Sequence, residues 1–427
     1  GGQISTSVKP GFDVLAKRHG AQRAHDIMRD GQRSLAWIKE FVAAENIDCD
    51  FGVVGRFHAA HNAIQFGHLV RAVAAQRKGL EVETEIVERA AQSAELGTDA
   101  YWGGVIYRQH ASLDPARYHH GLLDRAQQAG ATVVPHCPVT AIEKNGDRFR
   151  VVTPRGIIAA RNVVVATNGY TGPLTPWLQR RVIPIGSYMI ATEPLSAEQM
   201  ARLMPKNRIV SDTRKVVFYY RASPDRQRIL FGGRVSTDET DPAISGPRLH
   251  ADMVKLFPEL AGTRISHSWC GFVAYTFDEL MHVGRHEGVH YAMGYCGSGV
   301  GMASYLGMRL GLQVLGSAEG KTAFDQYKIN ELLWYVYLQQ GRNADAARLL
   351  EQQIASGQMP AAEKVQRSKT LAQLYFRAGN YGKAIQSANQ FLKSVPSDQE
   401  TQVLVAQAYY QQKDYKNALA TADRLVK

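Results

Sequence analysis

The pattern of apolar and polar positions is most informative between Val289 and Gly311. An apolar run at 290–293 meets glycines at 294, 297, 299 and 301, and a segment with helical apolar spacing begins at Val300. This order predicts a strand, a glycine turn and a helix. Because glycine permits positive φ and the first amides of a helix attract electron-rich oxygens, a dinucleotide or flavin is the expected ligand. A tight turn packed against a neighbouring strand is the alternative, and an isolated glycine cluster favours it.

The first third of the chain alternates helical and strand patterns. Residues 12–46 carry amphipathic spacing that predicts two helices separated near Gly31, followed by a strand at 51–54 and a turn at Gly55. Further helices are expected at 63–77 and 88–96, with the strand EVETEIV between them. His58, His61 and His68 lie close in sequence, but no carboxylate or Cys completes a metal site, so ordinary polar interactions are favoured.

The pattern between Leu113 and Tyr170 is typical of an α/β domain. A helix opened by Asp114 and Pro115 leads to a short strand ATVVP and then to three β segments separated by N-G and P-R-G turns. The last segment is apolar and ends in Ala166-Thr167-Asn168-Gly169, as in a buried parallel strand whose carboxyl end binds a ligand. A generic α/β domain with a hairpin insert is the alternative.

Two later regions differ in character. Residues 174–269 contain four runs rich in Ile, Val, Phe and Tyr, which predict a β-sheet. From Glu331 onward Ala, Gln, Leu, Tyr and Lys dominate, and Tyr381/Tyr415 and Ala384/Ala418 are each separated by 34 residues. That interval, with Gly379 and Pro396, fits the tetratricopeptide pattern, whose concave face binds peptides. An ordinary antiparallel helix bundle is the alternative.

Composition narrows the class of protein. The chain has 427 residues, 45% hydrophobic and 21% charged, enough for two or three folded domains. It contains no apolar run of about 18 residues and no leader-like start, and its four scattered cysteines suit reduced thiols, so a cytoplasmic protein is expected. The net charge of +11 is spread along the chain and no nucleic-acid-binding motif accompanies it, so no nucleic-acid partner is expected.

Residues 1 to about 325 resemble the FAD-dependent D-amino-acid oxidase superfamily, in the branch of glycine, sarcosine and gamma-glutamylputrescine oxidases. Four pieces carry the resemblance through their shared order and spacing: GGQ at Gly1–Gln3, PVTAIE at Pro138–Glu143, VVVATNGY at Val163–Tyr170, and FDELMHVGR followed by GYCGSGVGMASYLG.

The resemblance implies a fold and a division into domains. The expected fold is an α/β FAD-binding domain, glutathione-reductase-like but incomplete (1–173 and 270–325), with an antiparallel β-sheet substrate domain (174–269 with part of 45–115). An all-α tail of helical repeats is expected at 330–427.

The resemblance also implies a cofactor and its contacts. FAD is expected against the GGQ segment, the ATNG loop and the late glycine turn, and the position matching Val139 is expected to contact the adenine through its backbone. The residues assigned to FAD in this way are Gly2, Gln3, Val139, Ala166, Thr167, Asn168, Gly297, Ser298, Gly299 and Val300. No covalent flavin link through Cys296 is expected, because the family's covalent cysteine lies in a different local pattern.

The implied reaction is oxidation of an amine or amino acid, with hydride passing from the α-carbon to flavin N5, so no general acid or base is assigned. The candidate substrate contacts are Tyr220, Arg221, Arg234 and His282. Arg234 could pair with a carboxylate in a bidentate way, and a structural role for it stays open.

Two features depart from the family. The first is that the strand, G-x-G-x-x-G turn and acidic residue with which members begin are not in this sequence; the late turn is not such a fingerprint either, because Met302 stands at its third glycine position. We therefore expect a truncated oxidase, in which loss of the pyrophosphate cradle impairs FAD binding. The repeat tail is foreign to the family, which leaves a second hypothesis, a non-catalytic adaptor that binds peptides through the repeats.

Overall fold

The computed structural model describes residues 1–235, 238–317, 334, 336–356, 359 and 361–426. The chain divides into two compact units. The first comprises 1–11 and 26–314, and the second comprises 12–25 and 315–427. The division of the first 325 residues into an FAD-binding and a substrate domain stays a prediction. The start of the repeat tail also stays a prediction, because the boundaries at 325 and 330 lie outside the described residues.

The first unit is built around a mixed sheet of eight strands. In spatial order these are β14 (Ile265–Tyr275), β10 (Ile183–Thr192), β13 (Ile229–Gly233), β12 (Tyr219–Ala222), β11 (Ile209–Asp212), β2 (Arg56–Ala59), β4 (Gly104–Tyr107) and β3 (Thr84–Val87). Neighbours from β14 to β11 are antiparallel, as the sequence predicts, whereas β11 and β2 are parallel.

One face of this sheet carries the main hydrophobic core. Tyr188, Tyr220 and Phe231 project from three adjacent strands and meet Leu249 and Phe257. Since side chains alternate across a strand, residues at the intervening positions, such as Tyr219 and Arg221 on β12, lie on the opposite face. That opposite face is where the candidate site is built.

Three smaller sheets complete the first unit. Their strands are β1 (Gln3–Ile4) with β5 (Ala111–Ser112); β15 (His282–His286), β16 (Val289–Met293) and β9 (Val164–Val165); and β6 (Ala141–Asn145), β7 (Arg148–Thr153) and β8 (Gly156–Ala160). The predicted parallel strand is confirmed in β9, which pairs parallel with β16. It is shorter and less enclosed than expected, because Val165 is buried but Val164 is 48% exposed at the sheet edge.

Several helices of the first unit begin at caps that the sequence supplies. The helices are α3 (Ala63–Ala74), α4 (Pro115–Gln128), α5 (Pro176–Gln179), α6 (Ala197–Leu203), α7 (Pro242–Leu256) and α8 (Gly299–Val314), with most of α2 (Ala21–Ala44). Asn62, Asp114 and Asp241 each accept backbone N–H groups at a helix start, and Ser196 forms a reciprocal capping box with Gln199.

The described residues of the second unit form helices, and the later ones have repeat spacing. The helices are α1 (Phe12–His19), α9 (Asn343–Ala355), α10 (Ala361–Arg377), α11 (Tyr381–Ser394), α12 (Gln399–Gln411) and α13 (Tyr415–Val426). α11 and α13 start at Tyr381 and Tyr415, which reproduces the 34-residue interval, and Ala384 lies fully buried between helices. Gly379 ends α10 with φ of +75°, the conformation that favours glycine after a helix.

Four local predictions are wrong. The break in the first helical region falls at Gly20, where φ is +86°, and Gly31 lies inside α2, its Cβ position 2.5 Å from the carbonyl oxygen of Thr6. The strand expected at 51–54 instead follows Gly55, so His58 is on a strand. ATVVP forms no strand, and 88–96 reduces to a 3₁₀ turn at Arg89–Ala94. The contact of Gly31 with Thr6 overrides the local pattern there, whereas ATVVP is exposed and has no partner strand among the described residues.

Candidate cofactor and substrate site

A glycine turn joins β16 to α8 and has the conformation that its glycines allow. Gly294 and Gly297 have φ of +78° and +92°, and Cys296 between them has +49°. The Cys296 amide donates to the Ala274 carbonyl on β14 at 3.0 Å, which fixes the turn against the large sheet. A Cβ on Gly297 would meet only the Tyr275 Oη, at 3.9 Å, among the described residues. The turn therefore presents bare backbone to an open space.

The start of α8 leaves donors for a ligand. The Ser298 amide donates to the Tyr295 carbonyl at 2.8 Å, and the next amide with a backbone acceptor is that of Met302, which donates to the Ser298 carbonyl at 3.2 Å. Among the described residues, the amides of Gly299, Val300 and Gly301 have no acceptor, as expected for the first turn of a helix. These amides and the positive end of the helix dipole suit an electron-rich group such as a flavin carbonyl oxygen.

The GGQ segment lies against this helix. The Ser298 hydroxyl donates to the Ser7 carbonyl at 3.2 Å, and Ile4 contacts Gly301, with its Cγ2 3.1 Å from the Cβ position there. Gly2 has φ of +79°, and a Cβ there would lie 2.2 Å from the Leu113 carbonyl oxygen. No other residue fits at Gly2 without movement of this backbone.

Gln3 fastens the segment to the large sheet. Its Nε2 donates to the carbonyl oxygens of Val210 on β11 and Tyr220 on β12, both at 3.2 Å. The side chain of Gln3 is thus engaged with protein, so a contact with FAD would have to come from its backbone.

A buried histidine, His110, also holds the backbone just after the GGQ segment. The Nε2 of His110 accepts the Thr6 amide at 3.2 Å, and its ring stacks on Tyr107. Burial lowers the pKa of His110 to about 2, and the nearby Arg56 and His58 add to the effect. His110 is therefore neutral at physiological pH.

The ATNG loop reaches the glycine turn from β9. Asn168 has φ of +45°, and its Oδ1 accepts the Gly294 amide at 3.0 Å. Ala166 and Thr167 are exposed beside it. The structure therefore brings together three of the four predicted segments. Val139, just before β6, is half-buried, and no described hydrogen bond joins it to them.

The residues present fit the flavin ring of FAD. Unpaired amides, a glycine whose missing side chain leaves open space, and a loop anchored beside it form a cradle for a flat, electron-rich ring. The sequence contains no G-x-G-x-x-G turn for the pyrophosphate. The fit thus applies to the isoalloxazine end of the cofactor.

The predicted substrate residues on β12 lie on opposite faces. Tyr220 is 1% exposed in the main core, between Phe231 and Phe257, and its hydroxyl contacts that of Tyr101 at 3.4 Å. Its burial on the far face does not support the predicted substrate contact. Sequence reasoning missed the adjacent Tyr219, although strict alternation from Arg221 would have selected it.

Arg221 is on the candidate side but buried. It is 5% exposed, its Nη2 lies 3.0 Å from the Cβ position of Gly2, and neither its Nε nor its Nη2 has a partner among the described residues. Burial lowers its pKa, and Asp114 and Asp50 oppose that shift. A cavity of about 10 Å³, enough for a single water molecule, adjoins it.

The other two predicted substrate residues already have acidic partners. The Nη1 of Arg234 lies 3.0 Å from Glu239 Oε1 and 3.1 Å from the Gly186 carbonyl. The Nε2 of His282 lies 3.0 Å from Asp278 Oδ1. Burial opposes ionisation of Asp278, but the hydrogen bonds from His282 and the Leu280 amide outweigh it and lower its pKa.

Two tyrosines and a serine that sequence reasoning missed line the sheet beside the turn. Tyr219 hydrogen-bonds Ser187 through their hydroxyls, and its ring covers Gly232. Tyr275 ends β14 with its hydroxyl beside Gly297. Burial is the main cause that raises the pKa of both phenols, so both are neutral near pH 7. Only the order β14-β10-β13-β12 in the large sheet puts these distant positions on one face.

Cys296 is 4% exposed, and its thiol donates to the Gly294 carbonyl at 3.2 Å. Burial raises its pKa, with smaller opposing contributions from Thr276. A buried thiol of raised pKa has little thiolate for covalent chemistry.

Comparison with known proteins agrees with this geometry. The family described as FAD dependent oxidoreductase matches residues 2–311, and a tetratricopeptide repeat family matches residues 369–427. Gamma-glutamylputrescine oxidoreductase of Escherichia coli is 30% identical over 329 residues, covering 76% of this chain and 76% of that protein. A probable oxidoreductase of Haemophilus influenzae is 27% identical over 336 residues, covering 77% and 76%.

Solved structures show the same fold. Glycine oxidase from Geobacillus kaustophilus aligns with a TM-score of 0.59 at 17% identity, covering 68% of this chain and 80% of that one. Iminodiacetate oxidase from Chelativorans sp. BNC1 aligns with a TM-score of 0.55 at 16% identity, covering 67% and 80%.

No helix among the described residues combines the length and the apolar character needed to cross a bilayer.

The family match spans most of the chain, and the segments that carry it converge on one site. The chain therefore belongs to the FAD dependent oxidoreductase family and carries tetratricopeptide repeats in its last 59 residues, 369–427.

Proposed function

We propose that this chain binds FAD and oxidises the C–N bond of an amine or amino acid. The observation that carries the proposal is the convergence of three loops: Ser298 hydrogen-bonds Ser7, Asn168 hydrogen-bonds Gly294, and the same glycine turn leads into the unpaired amides of α8. Family membership supports the same cofactor.

The substrate class follows from the relatives. Gamma-glutamylputrescine oxidoreductase, glycine oxidase and iminodiacetate oxidase are each named for a substrate that carries an amino group. FAD, when bound, would accept the two electrons removed from the substrate. The chain's part is to hold the amine against the ring and to exclude water, and no acid or base is assigned. Of the predicted substrate contacts, we retain Arg221, Arg234 and His282. We assign to Tyr219 the substrate contact that was predicted for Tyr220.

The cofactor contacts are proposed residue by residue. The amides of Gly299 and Val300, with the bare backbone of Gly297 and Ser298, face the ring. Ala166, Thr167 and Asn168 border it, and the backbone of Gly2 and Gln3 closes it from the other side. Val139 is kept as the adenine contact on resemblance alone.

A flavin-loading experiment tests the proposal. The purified full chain is incubated with FAD, dialysed, and scanned for flavin absorbance, with Gly297→Val as the site-blocked control. We expect the wild-type chain to retain flavin, and glycine, sarcosine or gamma-glutamylputrescine to bleach it without oxygen. Failure to retain flavin would overturn the proposal. Retained flavin that no amine reduces would overturn the substrate class alone.

We also propose that the repeats bind a polypeptide partner. A groove of about 440 Å³ lies between α10 and α12, lined by Gln373, Phe376, Arg377, Glu400, Val403, Leu404 and Gln407. Its lining combines apolar side chains with one residue of each charge, Arg377 and Glu400, which suits a short peptide. The comparisons favour the oxidoreductase over an adaptor that acts through the repeats alone, so this binding would accompany catalysis.

The groove is tested with a displayed peptide library selected on the full chain. Val403→Asp places a charge on an exposed groove residue, whereas Leu419→Asp does the same at an exposed apolar residue outside the groove. We expect selected peptides to lose binding to V403D and to keep it with L419D. Equal binding to both variants would contradict the groove.

A further inference from the structure

The hydroxyl of Tyr275 occupies a special place in the site. Tyr275 is the last residue of β14, and its Oη is 3.9 Å from the point where a Cβ on Gly297 would stand. The hydrogen bond from the Cys296 amide to the Ala274 carbonyl joins the end of β14 to the turn and fixes this spacing. The phenol therefore stands beside the amides that we propose face the flavin.

This hydroxyl is also accessible and uncommitted. Among the described residues it has no hydrogen-bond partner, and it is not one of the enclosed polar atoms without partners, such as His110 Nδ1 and Arg221 Nε. By contrast, the hydroxyl of Tyr219 is already joined to that of Ser187. Tyr275 is thus the phenol on this wall with a hydrogen bond left to make.

The protonation state of the phenol suits an amino group as its partner. Burial raises the pKa of Tyr275, and the neighbouring Cys296 and Glu279 add to the shift, so the phenol is neutral. A neutral phenol oxygen keeps its lone pairs and accepts a hydrogen bond from an N–H donor. Arg234, the predicted carboxylate anchor, already has Glu239 as a partner.

We propose that Tyr275 is a substrate-contacting residue whose Oη accepts a hydrogen bond from the substrate's amino group and so turns the α-carbon toward the flavin side of the turn. The assignment rests on the proposed function. It adds a residue that neither the family resemblance nor the predicted site contained.

Tyr275→Phe removes the hydroxyl and keeps the ring. Tyr291→Phe is the matched control, since Tyr291 lies half-buried on β16 of the same unit, with its hydroxyl directed to Gly284. Flavin affinity, unfolding temperature, KM and kcat are measured for both variants at pH 7 and pH 9, with the amine that best reduces the wild-type flavin.

We expect Y275F to raise KM and lower kcat/KM on the order of tenfold to a hundredfold at both pH values, with flavin affinity and unfolding temperature unchanged. Y291F is expected to match the wild type in all four. Wild-type kinetics in Y275F, or a loss that follows flavin affinity, overturns the assignment while the proposed function stands. A wild-type chain whose retained flavin no amine reduces overturns this assignment together with the proposed substrate class.

Discussion

The side-chain oxygen of Asn168 accepts a hydrogen bond from the Gly294 amide at 3.0 Å, and so joins two loops 126 residues apart in sequence. Asn168 has φ of +45°, a conformation that asparagine tolerates better than most residues. An asparagine at this position thus both tolerates the positive φ and supplies the oxygen that accepts the Gly294 amide. The two loops that we propose to border the flavin depend on each other through it.

Replacing Asn168 with Ala should loosen both loops. The variant loses the hydrogen bond and retains a backbone conformation that alanine disfavours, at a cost of about 1–2 kcal/mol in the free energy of unfolding. We expect flavin affinity to fall roughly tenfold, measured by fluorescence titration. Asn162→Ala, at an exposed position just before β9, is the control and should change neither quantity. Equal flavin affinity in the two variants would refute the role of this bond.

Gly297→Ala tests the turn itself. With φ of +92°, an alanine here is strained by about 1 kcal/mol, and its methyl group would enter the space we assign to the flavin. We expect a lower unfolding temperature and a larger loss of flavin affinity than strain alone gives. Gly311→Ala, in α8 with open space around it, should be neutral or stabilising. A Gly297→Ala chain that binds flavin normally would place the cofactor elsewhere.

The buried His110 makes stability depend on pH in a predictable direction. Its pKa is about 2 in the folded chain because of burial, with contributions from Arg56 and His58, against about 6.5 when unfolded. Between these values the unfolded chain binds one more proton, so the free energy of unfolding falls as the pH falls. From pH 6.5 to pH 5 the loss is about 2 kcal/mol.

His110→Gln should remove that pH dependence. Glutamine can still accept the Thr6 amide but does not titrate, so we expect the loss between pH 7 and pH 5 to be about 2 kcal/mol smaller than in the wild type. Urea unfolding at both pH values measures it. The exposed His120→Gln should keep the wild-type dependence. If H110Q and H120Q respond alike to acid, His110 is not the source.

Glu239→Gln decides the role of Arg234. The substitution removes one negative partner of the guanidinium while leaving the shape of the side chain. If Arg234 binds a substrate carboxylate, kcat/KM should rise about threefold or more for carboxylate-bearing amines and stay level for amines without one. Steady-state kinetics with both classes provide the measurement. A uniform change across both classes would assign Arg234 to holding Gly186 and Glu239 in place.

Much of the fold was predictable, because local patterns and global contacts agree there. The strand, glycine turn and helix at Val289–Gly311, the antiparallel strands from 183 to 275 and the 34-residue helical interval are all confirmed. Each combines a clear hydrophobic period with a turn or cap of matching chemistry. The helix break at Gly20 and the missing ATVVP strand depend on distant partners that a local pattern does not contain.

The site likewise has a part that the sequence predicts and a part that it does not. The glycine turn, the GGQ segment and the ATNG loop carry recognisable residues, and the structure joins them. The wall opposite consists of Ser187, Tyr219 and Tyr275. These are common residues in three separate strands, and only the register of the sheet puts them on the same face. Sequence reasoning selected Tyr220 instead. Two adjacent tyrosines point to opposite faces of a strand, and which face borders the site is known only from the neighbouring strands.

The position of the Gln3 amide has a thermodynamic consequence. It donates to one carbonyl on β11 and one on β12, so the strands that carry the substrate side hold the first residues of the chain, which we assign to the cofactor side. A substrate that stabilises β11 and β12 therefore also stabilises those residues and strengthens flavin binding. By linkage, flavin strengthens substrate binding by the same factor. Amine and flavin are thereby expected to tighten each other's binding through the protein as well as through their direct contact.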